Sequence, residues 1–295
     1  MSLFEVAGTD EVYEYVRTEV NTQCREAKSF VESLWARANT YVDPDLPLKM
    51  PREFHQRFWE LYLASAFLDS GLPLVPRRSE RVVAGPDLCV SMRPETRIWV
   101  EAVAALPGTG PDAVHEGTPG IAREVPDDPI KLRLLNVFDE KCRKHASYLE
   151  KGVVGASDPY VIAINAAMVP SAMLEREVPR IVRSLLPIGD GIVHLDRRSL
   201  KAVGSGHKYQ SSITKLSGGE VPTDLFLDCR FRPVSAVLYS CADAFNHASE
   251  TGAELLLLHN PLALNPLELG FLRRGREFWV ELTLKEETWP LSDNV

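Results

Sequence analysis

Three acidic residues, Glu60, Asp87 and Glu101, stand where a carboxylate is costly. Glu60 interrupts the apolar run RFWELYLASAFL, Asp87 follows Gly85-Pro86 at the head of PDLCVSM, and Glu101 lies within RIWVEAVA. Desolvating a carboxylate is strongly unfavourable unless a cation compensates. A divalent metal is the economical partner, because hard cations take carboxylate oxygens and activate water. Such a set points to metal-assisted hydrolysis, with phosphodiesters as the natural substrate. Each acid also has a purely structural alternative. Glu60 pairs with a buried arginine, or Asp87 is a turn residue after Gly-Pro. Glu101, flanked by Ile98, Val100, Ala102 and Ala104, demands a buried partner of some kind.

The elements that must position these residues are read from periodicity. Apolar residues at helical spacing predict one long helix over 10–39. Three prolines in VDPDLPLKMP break it, and a second helix runs from Pro51 to about Asp69, closed by Gly71. It is apolar almost all round from Phe58 to Leu68, so it is expected inside the fold. Strand signals follow at 73–77, 87–92 and 96–104. The stretch 105–129, with five prolines and four glycines, reads as a long loop. Then come a helix over 130–151, a buried strand over 159–167 and a short helix over 172–186. A basic stretch over 197–215 reads as a glycine-containing loop, and strands are predicted over 234–240, 254–260 and 277–284.

Composition sets limits. The chain has 295 residues, 45% of them hydrophobic, and a formal charge of -8 from 33 basic and 41 acidic side chains. This balance excludes a protein that coats nucleic acid with its whole surface, but not an enzyme with a local basic groove. Cys24, Cys89, Cys142, Cys229 and Cys241 form no C-x-x-C pair, which argues against a zinc knuckle or a disulfide framework. No apolar run reaches the ~20 residues needed to span a bilayer, and the first residues lack a secretory pattern, so a cytoplasmic protein is expected. Walker-type and G-x-S-x-G motifs are missing.

The order helix, strand, strand, strand, helix, strand predicts an α/β fold of three layers with a mixed central sheet flanked by helices. With Pro86-Asp87 on the second strand, Glu101 on the third and Glu60 on the first core helix, the chain resembles the PD-(D/E)xK superfamily of restriction-endonuclease-like nucleases over 51–167. The resemblance implies a restriction-endonuclease-like core. In a single domain over 1–295, residues 1–50 would be a helical extension and 168–295 a set of added elements. It implies Mg²⁺ or Mn²⁺ held by Asp87 and Glu101, with the carbonyl of Ala102 as a further ligand and Glu60 binding a second metal or orienting a metal-bound water.

One departure stands out. The superfamily's lysine, two residues beyond the second acid, is replaced by Val103. Some members carry this lysine on the following helix, where Lys141 and Lys144 lie on one face beside His145 and Tyr148. Lys144-x-x-x-Tyr148 resembles the Gln-x-x-x-Tyr element of the exonuclease-type branch. Lys141 or Lys144 is thus expected to stabilise the transition-state charge, and Arg197, Arg198, Lys201 and Lys208 to contact nucleic acid.

The alternative is a catalytically silent nuclease-like fold that binds nucleic acid or protein, the reading favoured by Val103 and the acidic balance. A third reading, an enzyme for a small phosphorylated or carbonyl substrate, would require a closed pocket. The long first helix allows a homodimer.

Overall fold

The apolar spacing over 10–39 makes two helices rather than one. In the computed structural model, which describes residues 2–77, 85–93 and 96–281, α1 (Glu11–Thr18) is capped by the Asp10 carboxylate. A second cap, the Asn21 side chain accepting from the Cys24 amide at 2.8 Å, starts α2 (Thr22–Ala38). Val20, counted into the helical repeat, is 79% exposed between them. The expected long N-terminal helix is therefore corrected to a capped pair, because an Asn cap outcompetes continuation of the helix.

A single turn, α3 (Leu46–Lys49), leads into α4 (Phe54–Asp69), which is buried along most of its length. Gly71, at φ +73, supplies the left-handed residue that ends it. The strand expected over 73–77 reduces to one bridge, Leu74 to Val90. The central sheet begins with β1 (Leu88–Arg93) and β2 (Thr96–Ala104). The long connection then enters α5 (Asp127–Glu150), which returns the chain to β3 (Tyr160–Asn165). The helix expected over 172–186 is confined to α6 (Arg180–Leu185) behind Pro179.

The basic stretch read as a loop is corrected too. It belongs to two hairpins, β4 (Ile188–Leu195) with β5 (Ala202–Tyr209) and β6 (Ser212–Thr214) with β7 (Glu220–Pro222). The sheet is completed by β8 (Ala236–Ser240), β9 (Leu256–His259) and β10 (Arg276–Phe278). Of the strand expected over 277–284, only its first residues pair; 282–284 lie outside the described residues.

The six strands run β1-β2-β3-β8-β9-β10. β2, β3 and β8 are mutually parallel, β1 and β9 run antiparallel to their neighbours in that group, and β10 is parallel to β9. The fold is α/β with a mixed central sheet, and strand alternation divides its core in two. Val100, Ala102, Val161, Ala163 and Leu238 pack with α1, α2 and α4 on one face. Trp99, Val103, Ile162, Ile164 and Val237 pack with α5 and α6 on the other. The Trp59 indole donates to the Ala163 carbonyl at 2.9 Å and pins α4 to the sheet.

On the opposite face, Asp127 in the first turn of α5 accepts from Arg180 Nε at 2.9 Å and from Arg183 Nη1 and Nη2 at 2.6 and 2.9 Å. Burial works against this carboxylate, but the two guanidiniums outweigh it and hold it well below the usual range. Arg180, itself fully buried, also donates to the carbonyls of Ala172 and Leu174. The cluster fastens α6 to α5.

Candidate functional site

The register of β1 with β2 ends at Leu88–Val100. Beyond that point side chains take over the edge of β2. Asp87 Oδ2 accepts from the Ala102 amide at 2.7 Å, and Gln56 Oε1 from the Ala104 amide at 2.8 Å. Gln56 Nε2 in turn donates to the Ala102 carbonyl at 3.3 Å and to Glu60 Oε1 at 2.9 Å. Gln56 and Glu60 are one helical turn apart on α4, so a single face of that helix serves the exposed strand edge. Arg57 Nη1 reaches Glu60 Oε1 at 2.6 Å and also pairs with Glu53. Burial nevertheless raises the Glu60 carboxyl above its ordinary value, with Arg57 offsetting part of the cost.

Glu101 points to the other side of the sheet, toward α5, and is buried there. Both lysines of α5 converge on one of its oxygens: Lys144 Nζ lies 2.5 Å and Lys141 Nζ 3.1 Å from Oε1. The Tyr148 hydroxyl donates to Oε2 at 3.1 Å. Residues 141, 144 and 148 share one helical face, which is why all three arrive together. Val103, two residues beyond Glu101 on the same face, is packed into the apolar core. Lys141 is nearly sequestered, with 11% of its side chain exposed, whereas Lys144 shows 45%. Burial disfavours the Lys144 ammonium, but the Glu101 carboxylate prevails and holds its pKa above the ordinary value. Burial and the same carboxylate push the Tyr148 phenol up.

Asp87 feels both sides. Desolvation raises its carboxyl well above the usual range, and the charges of Glu60 and Glu101 push it further. The Ala102 amide and Lys144 act in the opposite sense. Glu60, Asp87 and Glu101 thus lie in one electrostatic neighbourhood, with Arg57, Lys141 and Lys144 as the cations beside them. Among the described residues, no three Asp, Glu, His or Cys side chains are gathered into a metal-holding group.

His145 does not join the cluster. Its ring packs on Tyr160, with centroids 4.1 Å apart, and burial lowers its pKa to about 4, keeping it neutral. Arg197, Arg198, Lys201 and Lys208 lie on the β4–β5 hairpin. The sequence reading missed Gln56, although its placement four residues before Glu60 on an apolar helix was a usable signal. No family model, curated protein sequence or solved structure matches the chain.

Proposed function

We propose that the chain is a metal-dependent phosphodiester hydrolase, a nuclease of PD-(D/E)xK-like design. The observation that carries this reading is the convergence of Lys141 and Lys144 on Glu101 beside the Asp87-capped edge of β2. Asp87, Glu101 and the Ala102 carbonyl would hold Mg²⁺ or Mn²⁺. Their oxygens are the hard donors such ions take, and a carboxyl disfavoured as an anion by burial and by two like charges is one that a cation relieves. When bound, the metal polarises the phosphate and lowers the pKa of a water.

The chain's own groups supply the rest. Lys144, half in solvent, paired with Glu101 and lying over the Tyr148 ring, would neutralise charge developing on the phosphate. Lys141, deeper, holds Glu101 in place. Gln56 links Glu60 to the Ala102 carbonyl and so aligns the third acid with the same strand edge. The direct test is calorimetric titration of Mn²⁺ into the wild type and the Asp87→Ala/Glu101→Ala variant, followed by cleavage assays on DNA and RNA with Lys144→Ala. Binding lost in the double variant and cleavage lost in Lys144→Ala are expected. A wild type that binds no Mn²⁺, with or without nucleic acid, sinks the catalytic reading.

One observation favours the silent alternative. Glu101 already takes two lysines and Glu60 takes Arg57, so two of the three acids have cationic partners without any metal. Retained nucleic-acid binding with no cleavage under any divalent cation would decide for it.

A further inference from the structure

β4 and β5 form a ribbon whose two faces are both open to solvent, in contrast to the covered central sheet. At ~3.3 Å per residue, strands of this length extend about 25 Å. Val193, Leu200 and Tyr209, at its middle, tip and base, are 62%, 74% and 76% exposed. Glycines thin one face: Gly206 lies opposite Ile192 and Gly204 opposite His194, so at these two rungs only β4 contributes side chains.

The charge is also organised. The ribbon and its tip carry Arg197, Arg198, Lys201 and Lys208 against two acids, and both acids are engaged. Asp190 pairs with Arg176 at the base. Asp196 closes the tip by accepting from the amides of Arg198 and Ser199 at 3.1 and 2.7 Å. Leu200 sits at φ 55 in that turn, directed into solvent among Arg197, Arg198 and Lys201.

We propose that this ribbon enters the major groove of double-stranded DNA and binds it without sequence preference. The inference rests on the nucleic-acid reading given above and names the form of nucleic acid. The B-form major groove, about 12 Å wide, admits a two-stranded ribbon, whereas the A-form major groove of RNA is too narrow. Arg197, Arg198 and Lys201 meet phosphates, which fix register but carry no sequence information. On a chain of net charge -8, a basic tip makes the polyanion approach this end first. Leu195 and Val203 are also exposed beside Val193, but Arg197, Arg198 and Lys201 at the tip would repel the same ribbon of a second copy, which favours a polyanion as the occupant.

The test measures fluorescence anisotropy of the full chain in EDTA with mixed-sequence duplex DNA of about two helical turns, the matching RNA duplex, and single-stranded DNA. The variant is Arg197→Ser/Arg198→Ser/Lys201→Ser, whose fold is checked by thermal melting. The wild type is expected to prefer duplex DNA. The variant is expected to lose about tenfold or more in affinity and to flatten the dependence of log K on log salt by about three. Leu200→Ser, which leaves the charges in place, is expected to weaken binding without changing that slope. A variant that binds DNA like the wild type, or a wild type that holds RNA duplex equally well, overturns the proposal. So does sedimentation showing that the variant dissolves a dimer. Cleavage with Mn²⁺ is read separately. A triple variant that cuts duplex DNA as the wild type does refutes the ribbon and leaves the nuclease, and tight binding by a wild type that never cleaves does the reverse.

Discussion

Asp127 and Glu101 are both acids held by basic side chains, Glu101 buried between two lysines and Asp127 partly exposed among Arg180, Arg183 and, at 3.5 Å, Lys131, and helix α5 takes part in both clusters, but the charge is met differently in the two. Asp127 meets guanidiniums, whose rigid forks match a carboxylate bidentately, and its charge is held firmly in place. Glu101 meets two ammonium groups on flexible stems, one of them half in solvent, with Glu60 and Asp87 close enough to raise the Asp87 carboxyl. The first cluster is saturated and locks α6 to α5. The second concentrates like charge and leaves one lysine accessible. Asp127 and Asp87 are accordingly shifted in opposite directions, the first lowered against burial by its guanidiniums and the second raised by desolvation and two neighbouring acids.

The largest effect expected from breaking this contrast is at the fastener. Asp127→Asn leaves Arg180 and Arg183 facing a neutral amide and should cost about 3 kcal/mol in a denaturant melt at neutral pH. Because the folded pKa of Asp127 is depressed, its contribution is present above the ordinary aspartate range and is lost as pH falls below it. The variant should lack that part of the acid sensitivity.

Asp87→Asn should move stability the other way. The folded pKa of Asp87 is raised, so its carboxyl favours the fold at low pH and opposes it as pH rises through the elevated value. Thermal melts should show the variant gaining most on the wild type at alkaline pH. Stabilisation by added Mn²⁺ should be seen in the wild type alone. A variant less stable than the wild type at every pH would erase the contrast.

Between the two lysines the difference is smaller. Lys141→Gln should cost on the order of 1 kcal/mol more than Lys144→Gln, since truncating a sequestered partner strands Glu101 whereas an exposed one is partly replaced by water. Paired denaturant melts measure this.

A contrast confined to acid pH sharpens the boundary of the site. His145 is held neutral by burial alone, so the wild type should lose stability as pH drops from about 6.5, where the unfolded imidazole takes its proton, toward about 4. His145→Phe should flatten that window, and Glu101→Gln should leave the His145 titration, followed by NMR, unmoved.

How much of this was legible follows from which side chains were buried. β2 and β3 lie close to the positions read from the sequence because they are covered on both faces and thus continuously apolar. Lys141, Lys144 and Tyr148 could be grouped because helical spacing alone puts them on one face. The ribbon was misread as a loop because a strand exposed on both sides has no apolar alternation to betray it. The break between α1 and α2 was hidden because Val20 kept the apolar rhythm while pointing into solvent. The edge interactions of Gln56 were invisible because they depend on where β1 stops pairing, a matter of register rather than pattern.

That stopping point has a consequence for observation. In a sheet, amide protons are ordinarily protected by rungs of backbone, which do not titrate. At Ala102 and Ala104 the rungs are a carboxylate and a carboxamide. The exchange rate of the Ala102 amide is therefore a gauge wired into the molecule: it should quicken whenever Asp87 is protonated or drawn away. Two backbone protons, followed by NMR without any substrate, would register the state of the acidic cluster from inside the strand that carries it.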